Sequence, residues 1–214
     1  LNVTICEIFP YLLPRQLDQD SARLLEKYLE SKGIHILTGK EVVGIDGDTN
    51  VQGVILKSGE KVPCDVILQQ MGVIPNIGLA KDAGLKTDKG ILVNEFMQTS
   101  NPDIYAAGDC IQFKTQLWGI IPASLEQAKL VVGHLLNQPI KPYEGTFWNT
   151  RLKIAGLKLA CYGTPPQKSA PDETVLANTD EDCYLCRKVI IKDNIIKGAI
   201  VMGSGDDLYF QKNL

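Results

Sequence analysis

The sequence predicts an α/β chain: a parallel-sheet unit carrying an inserted antiparallel β-meander, followed by a small β-rich α+β C-terminal domain. Three observations predict it. Leu17, Leu24, Leu25, Tyr28 and Leu29 recur at helical spacing between two short apolar strands. Three strand-like runs, 41–46, 51–57 and 61–63, are separated by GDTN and SGE, turn chemistry that leaves room only for antiparallel pairing. Beyond residues 137–146, which hold two prolines and a glycine and make the best linker, the texture changes to short β-segments.

In chain order, LNVTICEIF reads as a buried strand from Val3, Ile5 and Ile8. It starts with no preceding turn or cap, so the chain is expected to begin inside a domain whose first half lies upstream. Asp18 is placed to cap the following amphipathic helix, and Gly33 suits its left-handed end. GIHILTG is a strand; the meander follows. CDVILQQMG is a nearly continuous apolar strand, expected to return into a parallel sheet covered on both faces. Pro75 breaks the chain, IGLAKDAGL is a short helix and KGILVN a short strand. PDIYAAGDC is expected to be a strand running into a small-residue turn. Residues 122–137 form a second long helix, with Pro122 tolerated in its first turn. Strands at 150–155, 157–162, 174–177, 184–192 and 195–202 complete the chain, and the closing DDLYFQKNL reads as native sequence.

Composition excludes several classes. A net charge of -3 offers no basic footprint for nucleic acid. No apolar run reaches the roughly 18 residues a membrane span needs, and residues 1–7 show no secretory signal. Six scattered cysteines, in a chain of 214 residues, do not make a disulfide scaffold and read as reduced thiols of a cytoplasmic protein.

The most informative segment is TSNPDIYAAGDC, residues 99–110. Gly108 has no side chain and lets the backbone approach a bulky ligand, and Asp109 offers a carboxylate that accepts strong hydrogen bonds from ribose or ribityl hydroxyls. The plain alternative is an ordinary turn with a capping Asp. This segment resembles the second flavin-binding motif of the FAD-dependent pyridine nucleotide–disulfide oxidoreductase superfamily. MGVIPN at 71–76 resembles the family's Gly-Val-Arg-Pro-Asn segment, with Ile74 where Arg is frequent, and LPRQLD at 13–18 resembles the segment after its second nicotinamide-domain strand.

The resemblance implies partial Rossmann-like domains for FAD and NAD: 1–71 the second half of the NAD-binding domain, 72–140 the C-terminal part of the FAD-binding domain, 141–214 a small C-terminal domain. It implies cofactor contacts from Gly72, Gly108 and Asp109. A helix in the place of the Pro122 helix points its positive N-terminus at the flavin in that family, with Glu126 near the cofactor or nicotinamide; the alternative is a plain core helix. Glu7 stands at the end of a strand, where an acid of a dinucleotide fold binds the adenosine ribose hydroxyls and repels an added phosphate. Residues 8–14 hold no arginine, which favours NADH; the alternative is a solvated strand-end acid. No G-x-G-x-x-G occurs, so both phosphate cradles are expected upstream of Leu1.

Cys183-Tyr-Leu-Cys186 leads into a strand rather than a helix N-terminus, which favours a structural pair over a redox or metal site. His35 and His134 have no evident catalytic partner. With no His after residue 138, the tail is similar to the rubredoxin reductase and nitrite reductase flavoprotein-module branch. The resemblance therefore implies electron transfer from NADH through FAD to a rubredoxin-like or other iron protein, or to a small-molecule acceptor, and admits a homodimer. Two other readings stand: a thiol–disulfide, peroxide or oxygen reductase with its active cysteine upstream, and a non-catalytic fragment that binds no cofactor.

Overall fold

The computed structural model describes residues 1–163 and 172–203; the DDLYFQKNL tail lies outside them. The chain folds as two compact units. One joins Leu1–Leu68 to the described residues from Phe147 onward, and the other is Gln69–Thr146.

The first unit opens with β1 (Val3–Cys6), α1 (Gln19–Ser31) and β2 (Ile34–Leu37), the two strands parallel from Val3↔Ile34 to Cys6↔Leu37. Asp18 caps α1 by accepting the Ser21 N–H at 2.9 Å, and Gly33 follows the last turn with φ +79°. The meander is β3 (Val42–Asp46), β4 (Gly53–Leu56) and β5 (Lys61–Pro63), antiparallel in that order. The second unit holds α2 (Gly78–Asp82), the parallel pair β6 (Ile91–Val93) and β7 (Ile111–Phe113), and α3 (Ile121–Leu135) with Pro122 in its first turn. The remainder returns to the first unit as β8 (Asn149–Ile154), β9 (Leu157–Gly163), β10 (Thr174–Asp180), β11 (Leu185–Lys192) and β12 (Ile195–Gly203). These make one antiparallel sheet, ordered β10-β11-β12-β9-β8.

One core joins α1 to the β1-β2 pair and to the five-stranded sheet. Leu24, Leu25, Tyr28 and Leu29 pack with Leu157, Leu159, Cys186, Ile200 and Met202, and Ile5, Ile34 and Ile36 reach the same cluster. Each such aliphatic side chain contributes on the order of 1.5–3 kcal/mol when fully buried. Polar contacts fix the orientation. Lys188, on the inward-facing register of β11, donates to Asp18 Oδ2 at 2.7 Å, with only 9% and 17% of the two side chains exposed. Tyr28 donates its hydroxyl to the Ala155 carbonyl at 2.7 Å, and Ser21 Oγ lies 3.3 Å from Cys186 Sγ. Burial alone would push the Asp18 carboxyl up; hydrogen bonds from Lys188 and Ser21, with the lysine charge, outweigh it and hold it below its ordinary value.

Four expectations are corrected. The opening strand is not buried: Ile5 reaches the core, but Val3 is 42% exposed, because β2 is the only strand paired with β1 among the described residues. CDVILQQMG forms no strand, and Val66 and Leu68 are 81% and 93% exposed. A parallel strand gains nothing until neighbours accept its N–H and C=O groups, and the β1-β2 ladder does not extend to it. In PDIYAAGDC the strand falls after the turn instead of before it: residues 104–107 make a single bridge, Gln98↔Tyr105, and β7 starts at Ile111. The 137–146 stretch read as a linker is anchored by Tyr143, which is 3% exposed and donates its backbone N–H to the Glu95 carbonyl at 2.8 Å.

Candidate functional site

The second unit converges on the first two turns of α3. Gly108 adopts φ +92°, a left-handed conformation costly for any residue with a Cβ, whereas the nearest atom to such a Cβ would be Ser124 Oγ at 3.6 Å. The glycine is needed for the backbone conformation, and only the Ser124 side chain stands within 4 Å of a Cβ there. The turn closes through the Ile111 N–H to the Gly108 carbonyl at 3.2 Å. It is fastened to α3 by the Gly108 N–H, which donates to Gln127 Oε1 at 2.8 Å. Asp109 is exposed, and Ser124 Oγ lies 3.4 Å from both Asp109 Oδ1 and the Ile120 carbonyl, so the hydroxyl proton is shared between them.

The N-terminus of α3 has no side-chain cap, and Pro122 contributes no N–H. Its first turn therefore keeps unmatched positive dipole beside Asp109. Gly72, at φ +84°, belongs to the segment that reaches this end: Val73 Cγ2 lies 3.3 Å from where a Cβ of Gly119 would stand. Gly108, Asp109, Pro122 and Glu126 thus lie on α3 or on the turn fastened to it, and Gly72 precedes the Val73 side chain that reaches Gly119, just ahead of the helix. Glu126 is exposed, and its Oε2 accepts the Thr146 hydroxyl at 2.7 Å.

Glu7 sits in the other unit, directly after β1. Its backbone extends the β1-β2 ladder, donating to the Leu37 carbonyl and accepting from the Lys40 N–H, both at 2.9 Å. Its Oε1 accepts the Phe9 N–H at 2.9 Å. A cleft of about 270 Å³ lies beside this strand end, lined by Ile8, Gly39, Lys40, Glu41, Leu56, Lys57 and Ser58. Both of its lysines are ion-paired, Lys57 to Glu41 at 2.6 Å and Lys40 to Glu60 at 3.8 Å. The contact with Glu41 pushes the Lys57 ammonium up.

Sequence reasoning missed Gln127, Gln112 and Tyr143. Gln127 is 1% exposed and Gln112 5%. Gln112 accepts the Lys89 and Gly90 N–H groups and donates to Asp88 and the Lys114 carbonyl. A signal existed: Gln127 stands four residues after the buried Ala123, so it interrupts the inward face of α3.

At Cys110, Cys183 and Cys186 the surroundings disfavour the thiolate. Burial pushes Cys110 up, a backbone hydrogen bond partly opposes this, and Asp109 adds to the rise. Cys186 is pushed up by burial, and the exposed Cys183 by the carboxylate of Asp180. The C-x-x-C pair therefore consists of a turn thiol and a core thiol, neither with a stabilised thiolate. His134 stacks near Phe96 and Tyr105, with ring centroids 5.3 and 5.6 Å away. His35 is exposed on β2. No group of His, Cys, Asp and Glu suited to a metal ion occurs among the described residues, and no helix among them is long and apolar enough to cross a membrane.

Residues 1–128 match the family model of the pyridine nucleotide-disulphide oxidoreductases, and residues 149–208 that of the rubredoxin NAD+ reductase C-terminal domain. The chain is 35% identical over 209 residues to the assimilatory nitrate reductase electron transfer subunit of Bacillus subtilis, covering 97% of this chain and 27% of that protein. It is 31% identical over 207 residues to the nitrite reductase [NAD(P)H] of the same organism, covering 97% of this chain and 26% of the relative. The ferredoxin reductase of Rhodopseudomonas palustris superposes with a TM-score of 0.83 at 26% identity, over 100% of this chain and 53% of that one. The chain spans about a quarter of those curated relatives and about half of the solved reductase. With a family match over residues 1–128 and relatives aligned along nearly its whole length, the chain belongs to the pyridine nucleotide-disulphide oxidoreductase family.

Proposed function

We propose that this chain is part of an NADH-dependent, FAD-containing reductase that passes electrons to an iron protein or a small-molecule acceptor in the cytoplasm. The observation that carries the reading is the Gly108–Asp109 turn, exposed at Asp109 and fastened beside the uncapped N-terminus of α3. These residues fit a flavin: beside Gly108 only the small Ser124 side chain comes within 4 Å of a Cβ position, and the exposed Asp109 carboxylate can accept hydroxyl hydrogen bonds from the ribityl–phosphate part. The α3 dipole would favour the negative charge that reduction places on the flavin ring, with Pro122 and Glu126 in its first two turns and Gly72 on the chain that reaches it. When bound, FAD supplies the hydride acceptor and hands electrons onward.

Glu7 supports NADH over NADPH. Its carboxylate would pair with ribose hydroxyls and repel a 2′-phosphate, and the nearest cleft lysines are already paired with acids. An iron-protein acceptor is favoured by the match to the rubredoxin reductase C-terminal domain and the likeness to a ferredoxin reductase.

The test is rapid mixing of the yellow full-length protein with NADH or NADPH. NADH should bleach the flavin absorbance with a kcat/KM at least about tenfold above NADPH, and Glu7→Ala should erase most of that gap. A colourless protein, or one that NADH leaves oxidised, would sink the reading.

A further inference from the structure

Gln127 occupies a position where the inward face of α3 calls for an apolar residue, and every hydrogen bond around it runs one way. The Gly108 N–H donates to Gln127 Oε1 at 2.8 Å, and Gln127 Nε2 donates to the Tyr143 hydroxyl at 3.1 Å. Tyr143 and Thr146 share a 2.6 Å contact, and Thr146 gives its only proton to Glu126 Oε2 at 2.7 Å. Tyr143 must therefore be the donor to Thr146. The result is a head-to-tail chain that starts on the turn amide and ends on a carboxylate, the arrangement in which each bond polarises the next. Gln127 and Tyr143 are 1% and 3% exposed, so the middle of the chain is dry.

A Cβ at Gly108 would meet only Ser124, in ordinary contact at 3.6 Å and beyond, while Ala106 and Cys110 on either side of the turn pack against the cluster of Met97, Ile111, Phe113 and Tyr143. Two hydrogen bonds tie the turn to α3, and the one to Gln127, at 2.8 Å, is shorter than that from Ser124 Oγ to Asp109, at 3.4 Å. An apolar residue of similar volume would fill the space, leave the Gly108 N–H without this acceptor and remove the donor to the Tyr143 hydroxyl.

We propose that Gln127 is a positioning residue for the Gly108–Asp109 turn, held in register through Tyr143 and Thr146 by the Glu126 carboxylate, and that it presets Asp109 for the flavin. This rests on the flavin reading above. Gln127 touches no cofactor in this role; it acts through the turn.

The experiment compares full-length Gln127→Leu, Gln127→Glu and Tyr143→Phe with wild type. It reads FAD affinity by titration of the apoprotein, the flavin visible spectrum, and the thermal midpoint of the apoprotein. Losing the Gly108 bond should raise the FAD Kd about tenfold and shift the flavin band. Gln127→Glu keeps an oxygen for the Gly108 N–H and should return the Kd to within about threefold of wild type; Tyr143→Phe, which loosens the brace alone, should raise it about threefold. Wild-type affinity and spectrum in Gln127→Leu, or in Tyr143→Phe should Gln127→Leu not fold, would overturn the proposal while leaving the flavin reading intact. So would a Gln127→Glu protein no better than Gln127→Leu, which would mark the residue as structural filler. A wild type that binds no FAD overturns the flavin reading first, and this proposal with it.

Discussion

The five-stranded sheet of the first unit and the 64–74 segment are built from similar apolar residues and meet opposite fates. Leu157, Leu159, Ile200 and Met202 are at most 1% exposed, whereas Leu68, Met71 and Ile74 are 93%, 78% and 93% exposed. The difference lies in where the hydrogen-bonding partner is encoded. Each strand from β9 to β12 pairs with a neighbour within this sheet, and the β8-β9 and β11-β12 pairs close over short turns. Such pairs carry their own partner and α1 supplies the cover. CDVILQQMG has no partner strand among the described residues, and apolarity alone does not make a strand without neighbours for its N–H and C=O groups.

The largest test of this contrast is truncation. Ile200→Ala should cost about 4 kcal/mol, because the site is 1% exposed and closed by the helix on one side. Leu68→Ser should change the stability of this chain by less than about 0.5 kcal/mol. Denaturant unfolding of both variants decides it; equal costs would mean that 64–74 is packed in solution.

Next comes the joint between α1 and the sheet. Asp18→Ala removes an N-cap and strands Lys188 in the core, and should cost about 3 kcal/mol. The same carboxylate sets an acid limit. Its folded pKa is lowered, so its contribution is fully present above the ordinary carboxylate value, about 3.9, and is lost as pH falls through the lowered one. Asp18→Asn should flatten stability against pH in that acid window. A mutant whose acid limb superposes on wild type would show that Lys188 is satisfied some other way. A smaller effect is expected of Tyr28→Phe, which loses the bond to the Ala155 carbonyl: about 1 kcal/mol by the same unfolding measurement.

The same distinction explains what was legible in the sequence. Helical spacing and Asp18 located α1 to within a residue or two, and short turns located the meander and the final sheet, because those signals are local. The Gly108–Asp109 turn was legible as a motif, but the strand beside it was placed on the wrong side. Tyr105–Ala107 is as apolar as β7, and only the partner β6 distinguishes them. Tyr143 was hidden inside a Pro-rich stretch that reads as linker, since the acceptor of its anchoring N–H is the Glu95 carbonyl, far back in the chain. Lys188 was hidden for the opposite reason: alternation put it on the inner face of β11, where a lysine makes sense only once the helix cap facing it is known.

The finest probe of the contrast is the set of free thiols. Cys161 and Cys186 lie in the sheet core, and burial pushes the Cys161 thiol up to about 12. Neither should react with a thiol reagent at neutral pH until the sheet unfolds, since the thiolate is both inaccessible and scarce. Cys64, half-buried at the start of the unpaired segment, should react in the native state. Cys183 separates access from ionisation: it is exposed, yet Asp180 and Asp182 raise its pKa. Its labelling should therefore be slow at neutral pH, rise steeply with pH, and quicken with added salt, which screens the carboxylates. Mass spectrometry of peptides after timed alkylation reads all of these sites at once. Native-state labelling of Cys186 as fast as that of Cys64 would mean that the sheet opens as readily as the segment without a partner, and the comparison would fail at its strongest point.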